Sequence, residues 1–262
     1  LGGLEIKNAR TFEGAGKSFE SRNTIGGAKT NTMKTYPKVI DENATLDAVL
    51  AGNSLTRFGD GEFRLAMGGA KNISQVAHPE LRRELCEILV TKQDFCLVAI
   101  PDMNPQSPKW WFWSKYVNSY PRILDERMTY YSSFITRPDS APHIDVPEFY
   151  DRMESLWRDQ EVVLVRGSER SLVEGRPPMS SAKKTHVVMC AHRDAYQEID
   201  RVESEVLSLN IKRVLLCAGA MATVLTYRLA KRGLHAIDLG HIGFLWRLYE
   251  RSREQDSADR VT

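Results

Sequence analysis

From residue 45 onward the chain alternates short apolar runs with amphipathic stretches, and no other feature limits its possible folds so strongly. Ser54–Phe58, Phe95–Ile100, Ser133–Thr136, Val162–Val165, Val187–Met189, Arg213–Cys217 and Ala236–Leu239 read as strands, most rich in Val, Ile or Leu and bounded by Gly, Pro or polar residues. Helical patterns fill the gaps at Leu46–Ala51, Pro79–Thr91, Lys109–Asn118, Pro147–Asp159, Asp194–Leu209 and Ala220–Arg232. Parallel strands need helical crossovers that cover both faces, so the pattern predicts an α/β domain on a mainly parallel sheet. In such a sheet a ligand lies beyond the carboxyl ends of the strands, and the residues just after each strand are where chemistry belongs.

Composition narrows the partners. Lys and Arg total 36 against 34 Asp and Glu, a formal net charge of +2, too balanced for a nucleic-acid footprint. With 42% hydrophobic and 27% charged residues the chain can bury a core of its own. Its longest nearly apolar stretch, Val214 to Leu225, contains Gly219 and Thr223 and is shorter than the ~20 residues of a spanning helix. Cys86, Cys96, Cys190 and Cys217 form no CxxC pair, which fits buried free thiols and a reducing, cytoplasmic compartment. Residues 1–33 hold six of the 17 glycines and no periodicity, and read as a flexible leader or a segment added before a domain of residues 34–250; residues 251–262 read as a disordered polar tail. The leader lacks the apolar core of a secretory signal. Its Gly14-Ala15-Gly16-Lys17-Ser18 run resembles a phosphate-binding loop, but Thr11 stands where that loop needs glycine and no strand precedes it.

Six strand ends could carry chemistry, the last two as lesser candidates. In Arg57-Phe58-Gly59-Asp60-Gly61-Glu62 two acids flanked by glycines can converge on a hard cation, Mg²⁺ or Mn²⁺; equally, Asp60 can cap the helix that begins there, with Glu62 in its first turn. Arg166 and Arg170, in the loop after Val162–Val165, offer forks for a diphosphate or are solvated surface charges. Cys217-Ala218-Gly219-Ala220 opens a helix whose N-terminus favours an anion, although close helix–strand packing explains the small residues as well. Asp238 and His241, at the last strand's end, can serve as ligand, nucleotide contact or acid–base pair, or hold a turn. Asp102 after Phe95–Ile100 can act as a base, and Arg137 after Ser133–Thr136 as a phosphate contact. Trp110-Trp111-Phe112-Trp113 can stack on a sugar ring or lie in the core.

In order and spacing, Arg57 to Glu62, Ser133 to Pro138, Val163 to Arg170 and Ala218 to His241 resemble a bacterial glycosyltransferase family of the GT-D fold, over roughly residues 50–243. The resemblance implies a Rossmann-like domain with helices on both faces, a UDP-sugar donor, and a Mn²⁺ or Mg²⁺ ion at an Asp-X-Glu motif matched by Asp60 and Glu62. It implies donor contacts by Arg57, Gly59, Arg137, Arg166, Arg170, Gly219, Asp238 and His241. A carboxylate base for the acceptor hydroxyl is sought at Asp102 or Glu169 if configuration inverts. The implied acceptor is a lipid- or protein-linked glycan met in the cytoplasm or at the inner membrane face. Two departures stand out: Gly243-Phe244-Leu245-Trp246 where the family carries acidic and aromatic residues, and Val173-Glu174-Gly175-Arg176 in place of Gly-Asn-Asp. Competing readings are a nucleotidyltransferase, a nucleotide-sugar hydrolase, or a non-catalytic donor-binding module of a longer polypeptide.

Overall fold

The computed structural model describes residues 35–141, 144–168 and 171–259, the side chains of 252–259 excepted. In chain order it runs β1 (Val39–Ile40), α1 (Glu42–Leu50), β2 (Ser54–Arg57), α2 (Asp60–Ala66), α3 (Pro79–Val90), β3 (Cys96–Ile100), α4 (Trp110–Trp113) and β4 (Tyr130–Ser132). The second half adds α5 (Val146–Glu154), β5 (Glu161–Arg166), β6 (Lys184–Met189), α6 (Ile199–Ser208), β7 (Arg213–Cys217), α7 (Ala220–Lys231), β8 (His235–Asp238) and α8 (Ile242–Asp259). Among the described residues all eight strands form one parallel sheet in the order β1-β4-β3-β2-β8-β7-β5-β6. The first half of the chain therefore builds one side of the sheet and the second half the other, and β2 meets β8 at the join through Leu55 and Ile237.

Strand β5 shows why both faces must be covered. Val163 and Val165 enter one core with residues of α2, α3, α6 and α7, while Val162 and Leu164 enter another with α1, α5 and α8. All four are fully buried, and each contributes about 1.5–3 kcal/mol by leaving water. The α/β, Rossmann-like, parallel arrangement expected from the sequence is the one observed. No helix among the described residues is long and apolar enough to cross a membrane. The four cysteines are free, with Cys96, Cys190 and Cys217 buried.

Several elements differ from the sequence expectation for identifiable reasons. Ser133–Thr136 is a 3₁₀ turn rather than a strand, because the Ser132 hydroxyl accepts the Phe134 N–H at 3.1 Å and draws the chain out of the ladder after β4. The Lys109–Asn118 helix shortens to α4 and a following 3₁₀ turn; Trp113 is buried against Phe134 while Trp111 is 73% exposed, so its aromatics share no single face. Asp194, with φ 54°, stops α6 from extending back to residue 194. Residues from Arg251 continue α8 as far as Asp259. The run Gly14 to Ser18 lies outside the described residues.

Candidate active site

The join of β2 and β8 ends in an arginine and an aspartate, Arg57 and Asp238. Helix α7 ties these ends together: the Thr56 hydroxyl donates to the Thr223 carbonyl at 2.6 Å, and the Thr223 hydroxyl donates to the Arg57 carbonyl at 2.9 Å, with Asp238 Oδ2 3.4 Å away. Asp238 is 3% exposed and its Oδ1 accepts the Gly240 N–H at 3.0 Å. Burial pushes its carboxyl up to about 7; Arg57 opposes the shift and Glu62 adds to it.

Beyond β2 the chain turns directly into α2. Gly59 is the N-cap, Asp60 the first helical residue and Glu62 the third, and Glu62 Oε2 reaches back to accept the Gly59 N–H at 2.9 Å. The capping acid is thus Glu62, where the sequence pointed to Asp60. Burial raises the Glu62 carboxyl above its ordinary value, against the Gly59 N–H and the charge of Arg57. Asp60 is exposed, and its side chain makes no hydrogen bond or ion pair with another described residue.

Arg137 and His241 face the same place from other elements. Lost solvation, then the charges of Arg57 and Arg137, lower the affinity of His241 for a proton, while Asp60 pulls the other way. Arg137 forks onto Asp139 at 2.9 and 3.0 Å, with Lys109 3.8 Å from the same carboxylate. The structure therefore brings together Arg57, Gly59, Asp60, Glu62, Arg137, Asp238 and His241 at the carboxyl ends of β2, β4 and β8.

The remaining candidates stand apart. Asp102, beyond β3, lies near Glu42 and Tyr36; burial, then Glu42, raises its carboxyl. Arg166 is 6% exposed and gives its Nη2 to both oxygens of Glu174, at 2.9 and 3.2 Å. Gly219, with φ 59°, is the N-cap of α7, and a Cβ there would lie 3.3 Å from Ser74 Oγ. Glu169 and Arg170 lie outside the described residues.

Sequence reasoning missed three contributors. The loop of residues 68–78 braces both α2 and α7, with Asn72 3.0 Å from the place of a Gly61 Cβ and Ser74 against Gly219. Its Gln75 is buried, and the Ser74 carbonyl accepts the Asp194 N–H at 2.7 Å. Tyr120 stacks on Phe63 of α2 at 3.8 Å between ring centroids, 5° from parallel, and its buried hydroxyl has no partner among the described residues. Thr223 fixes both strand ends. Only Thr223 carried a signal, a hydroxyl in an otherwise apolar helix start. A cavity of about 370 Å³ lined by Val90 and residues 122–127 sits before the amino ends of β3 and β4, away from these charges.

A family model described as the glycosyltransferase GT-D fold matches residues 55–258. The chain belongs to this family. It is similar to the glycosyltransferase GlyD of Streptococcus pneumoniae serotype 4 (26% identical over 223 residues, 78% of this chain and 26% of that protein). It is also similar to a probable glycosyl transferase, Gly, of Streptococcus gordonii (26% identical over 221 residues, 78% of this chain and 32% of that protein). The chain thus spans about a quarter to a third of the curated relatives it matches. Among solved structures it resembles a glycosyltransferase (DUF1792) from Streptococcus sanguinis, with TM-score 0.73, 26% identity, and 82% of this chain and 86% of that one covered. A second, described as domain of unknown function 1792 with a distinct glycosyltransferase fold, matches with TM-score 0.73 and 29% identity, over 82% of both chains.

Proposed function

We propose that this GT-D chain moves a sugar from a UDP-sugar to a hydroxyl of a glycan acceptor, assisted by Mn²⁺ or Mg²⁺. The observation that carries the reading is the meeting of exposed Asp60 and raised Glu62 with Arg57, Arg137 and His241 at the join of β2 and β8. The oxygen donors suit a hard cation: Asp60 keeps both carboxylate oxygens, and Glu62 keeps Oε1 after capping Gly59. No group of three potential His, Cys, Asp or Glu ligands occurs among the described residues. An ion here would be held by these two carboxylates and completed by substrate phosphates. Such an ion, when bound, neutralises charge gathering on the diphosphate.

The chain's own residues supply the rest. Arg57 and Arg137 offer N–H groups to phosphate oxygens, with Arg170 assigned the same task; Arg166 reaches a ligand with Nη2 only by releasing Glu174. The N-terminus of α7 at Gly219 adds a favourable dipole, and Asp238 and His241 complete the donor side. In the transfer, the bond from the anomeric carbon to the diphosphate oxygen breaks and its electron pair leaves with UDP. The acceptor oxygen bonds to that carbon and gives up its proton to a carboxylate. Asp102, whose carboxyl burial and then Glu42 raise, or Glu169 takes that proton if configuration inverts. A bacterial surface polysaccharide or glycoprotein glycan is the acceptor we assign, met in the cytoplasm or at the inner membrane face.

Turnover of UDP-sugars with and without Mn²⁺, read as UDP release with product analysis, tests the proposal. Asp60→Ala is expected to lose metal-dependent turnover while melting as the parent does, and Glu62→Ala to lose it with the fold intact but a lower melting temperature, because its cap on α2 is gone. Full activity in both overturns it. Free sugar as product would mark a hydrolase, a transferred nucleotide a nucleotidyltransferase, and donor binding without turnover a binding module.

A further inference from the structure

Gly240, two residues beyond β8, touches both polar members of the join. Its N–H donates to Asp238 Oδ1 at 3.0 Å, and its φ of 50° turns the chain back over β2. A Cβ at this position would lie 1.9 Å from Arg57 Nη2 and 3.0 Å from Cζ, inside the guanidinium itself. Gly52 and Gly233 also have positive φ, yet a Cβ on either would meet nothing within 4 Å. Conformation alone accounts for those two glycines, whereas Gly240 answers to a neighbour as well.

The geometry points to Gly240 as a positioning residue that acts through Arg57: the missing side chain admits the guanidinium over the join of β2 and β8, where it is held ready for the donor diphosphate. This rests on the donor reading above. With Nη1 the guanidinium donates to the Ser133 carbonyl at 3.1 Å, and its buried Nε has no partner among the described residues. It is anchored on one side only, with donor capacity left for a ligand. Its charge bears on Asp238, Glu62 and His241 together, so displacing it changes the field of the whole site. With alanine at 240, Arg57 must swing out or the turn must open.

A double-mutant cycle separates this role from a plain requirement for glycine in a left-handed turn. Gly240→Ala, Arg57→Ala, the double variant and a Gly233→Ala control are each titrated calorimetrically with UDP and Mn²⁺ and melted. Gly233→Ala is expected to lower the melting temperature by roughly 2–4 °C through strain alone and to bind as the parent does. Gly240→Ala is expected to weaken UDP binding about tenfold or more and to melt lower than the control. In the Arg57→Ala background it is expected to add nothing to the binding loss, and to cost no more in melting than the control. Parental affinity in Gly240→Ala, or binding losses that simply multiply in the double variant, would overturn the inference. Failure of the parent to bind UDP would instead defeat the donor reading. The melting cycle then judges the geometry alone, and an equal cost of Gly240→Ala in both backgrounds overturns it.

Discussion

Arg57 and Arg166 occupy equivalent places, each the last residue of a parallel strand, at the ends of β2 and β5. Arg166 is buried and bound to Glu174, a charge neutralised within the fold. Arg57 is held by one carbonyl, shapes the titration of two nearby acids, and among the described residues forms an ion pair with neither. The difference follows from what the next residues supply. After β5 the chain brings a glutamate back onto its arginine, whereas after β2 it starts a helix that spends its glutamate on its own cap. Both leave a buried Nε without a partner among the described residues, so the ion pair is what separates them: an arginine bound to a carboxylate steadies a loop, and one held by a single carbonyl is poised for a ligand.

That contrast can be broken most forcefully at Arg57. Arg57→Ala is expected to lower affinity for UDP, by titration calorimetry, about 10- to 100-fold, the worth of a charge-assisted hydrogen bond. The Arg166 side should respond in stability instead. Glu174→Ala leaves Arg166 without its partner and is expected to cost about 1–3 kcal/mol in denaturant unfolding, with a smaller change in donor affinity. An affinity loss there as large as in Arg57→Ala would erase the distinction.

A third test sharpens the comparison through pH. Asp238 keeps its proton up to about 7 when folded, against an ordinary aspartate value near 4. Between those values the folded state binds more protons than the unfolded, so Asp238's contribution to stability is full below about pH 4 and lost as the pH rises through about 7. Arg57, Glu62, Thr223 and the Gly240 N–H are the groups acting on it. Thermal melts of Asp238→Asn should match the parent below about pH 4 and exceed it by a margin that grows up to about pH 7 and then holds to pH 8. A constant difference across that range would contradict the burial effect.

Much of the fold was written in the periodicity, because a strand buried on both faces must be apolar throughout, as Val162 to Val165 are. The turn at Ser133–Thr136 was not legible, since one hydroxyl bond from Ser132 outweighs a β-like composition. The same division holds at the site. Asp60, Glu62, Asp238 and His241 are visible as acids and a histidine after strands, yet nothing local distinguishes Arg57 from Arg166. Their partners, Ser133 and Gly240 for one and Glu174 for the other, are set by how the chain returns to each strand end. The bracing of Gly61 and Gly219 by Asn72 and Ser74 is equally non-local, joining two helix starts through a loop with no chemical signature.

The most direct test of the central claim, a metal-assisted donor site at Asp60 and Glu62, is calorimetric titration of UDP with and without Mn²⁺ on the parent and on Asp60→Ala. Binding that needs Mn²⁺ in the parent and disappears in Asp60→Ala, with its melting temperature retained, is the predicted result. Equal binding by both proteins, or none by the parent under either condition, would contradict it.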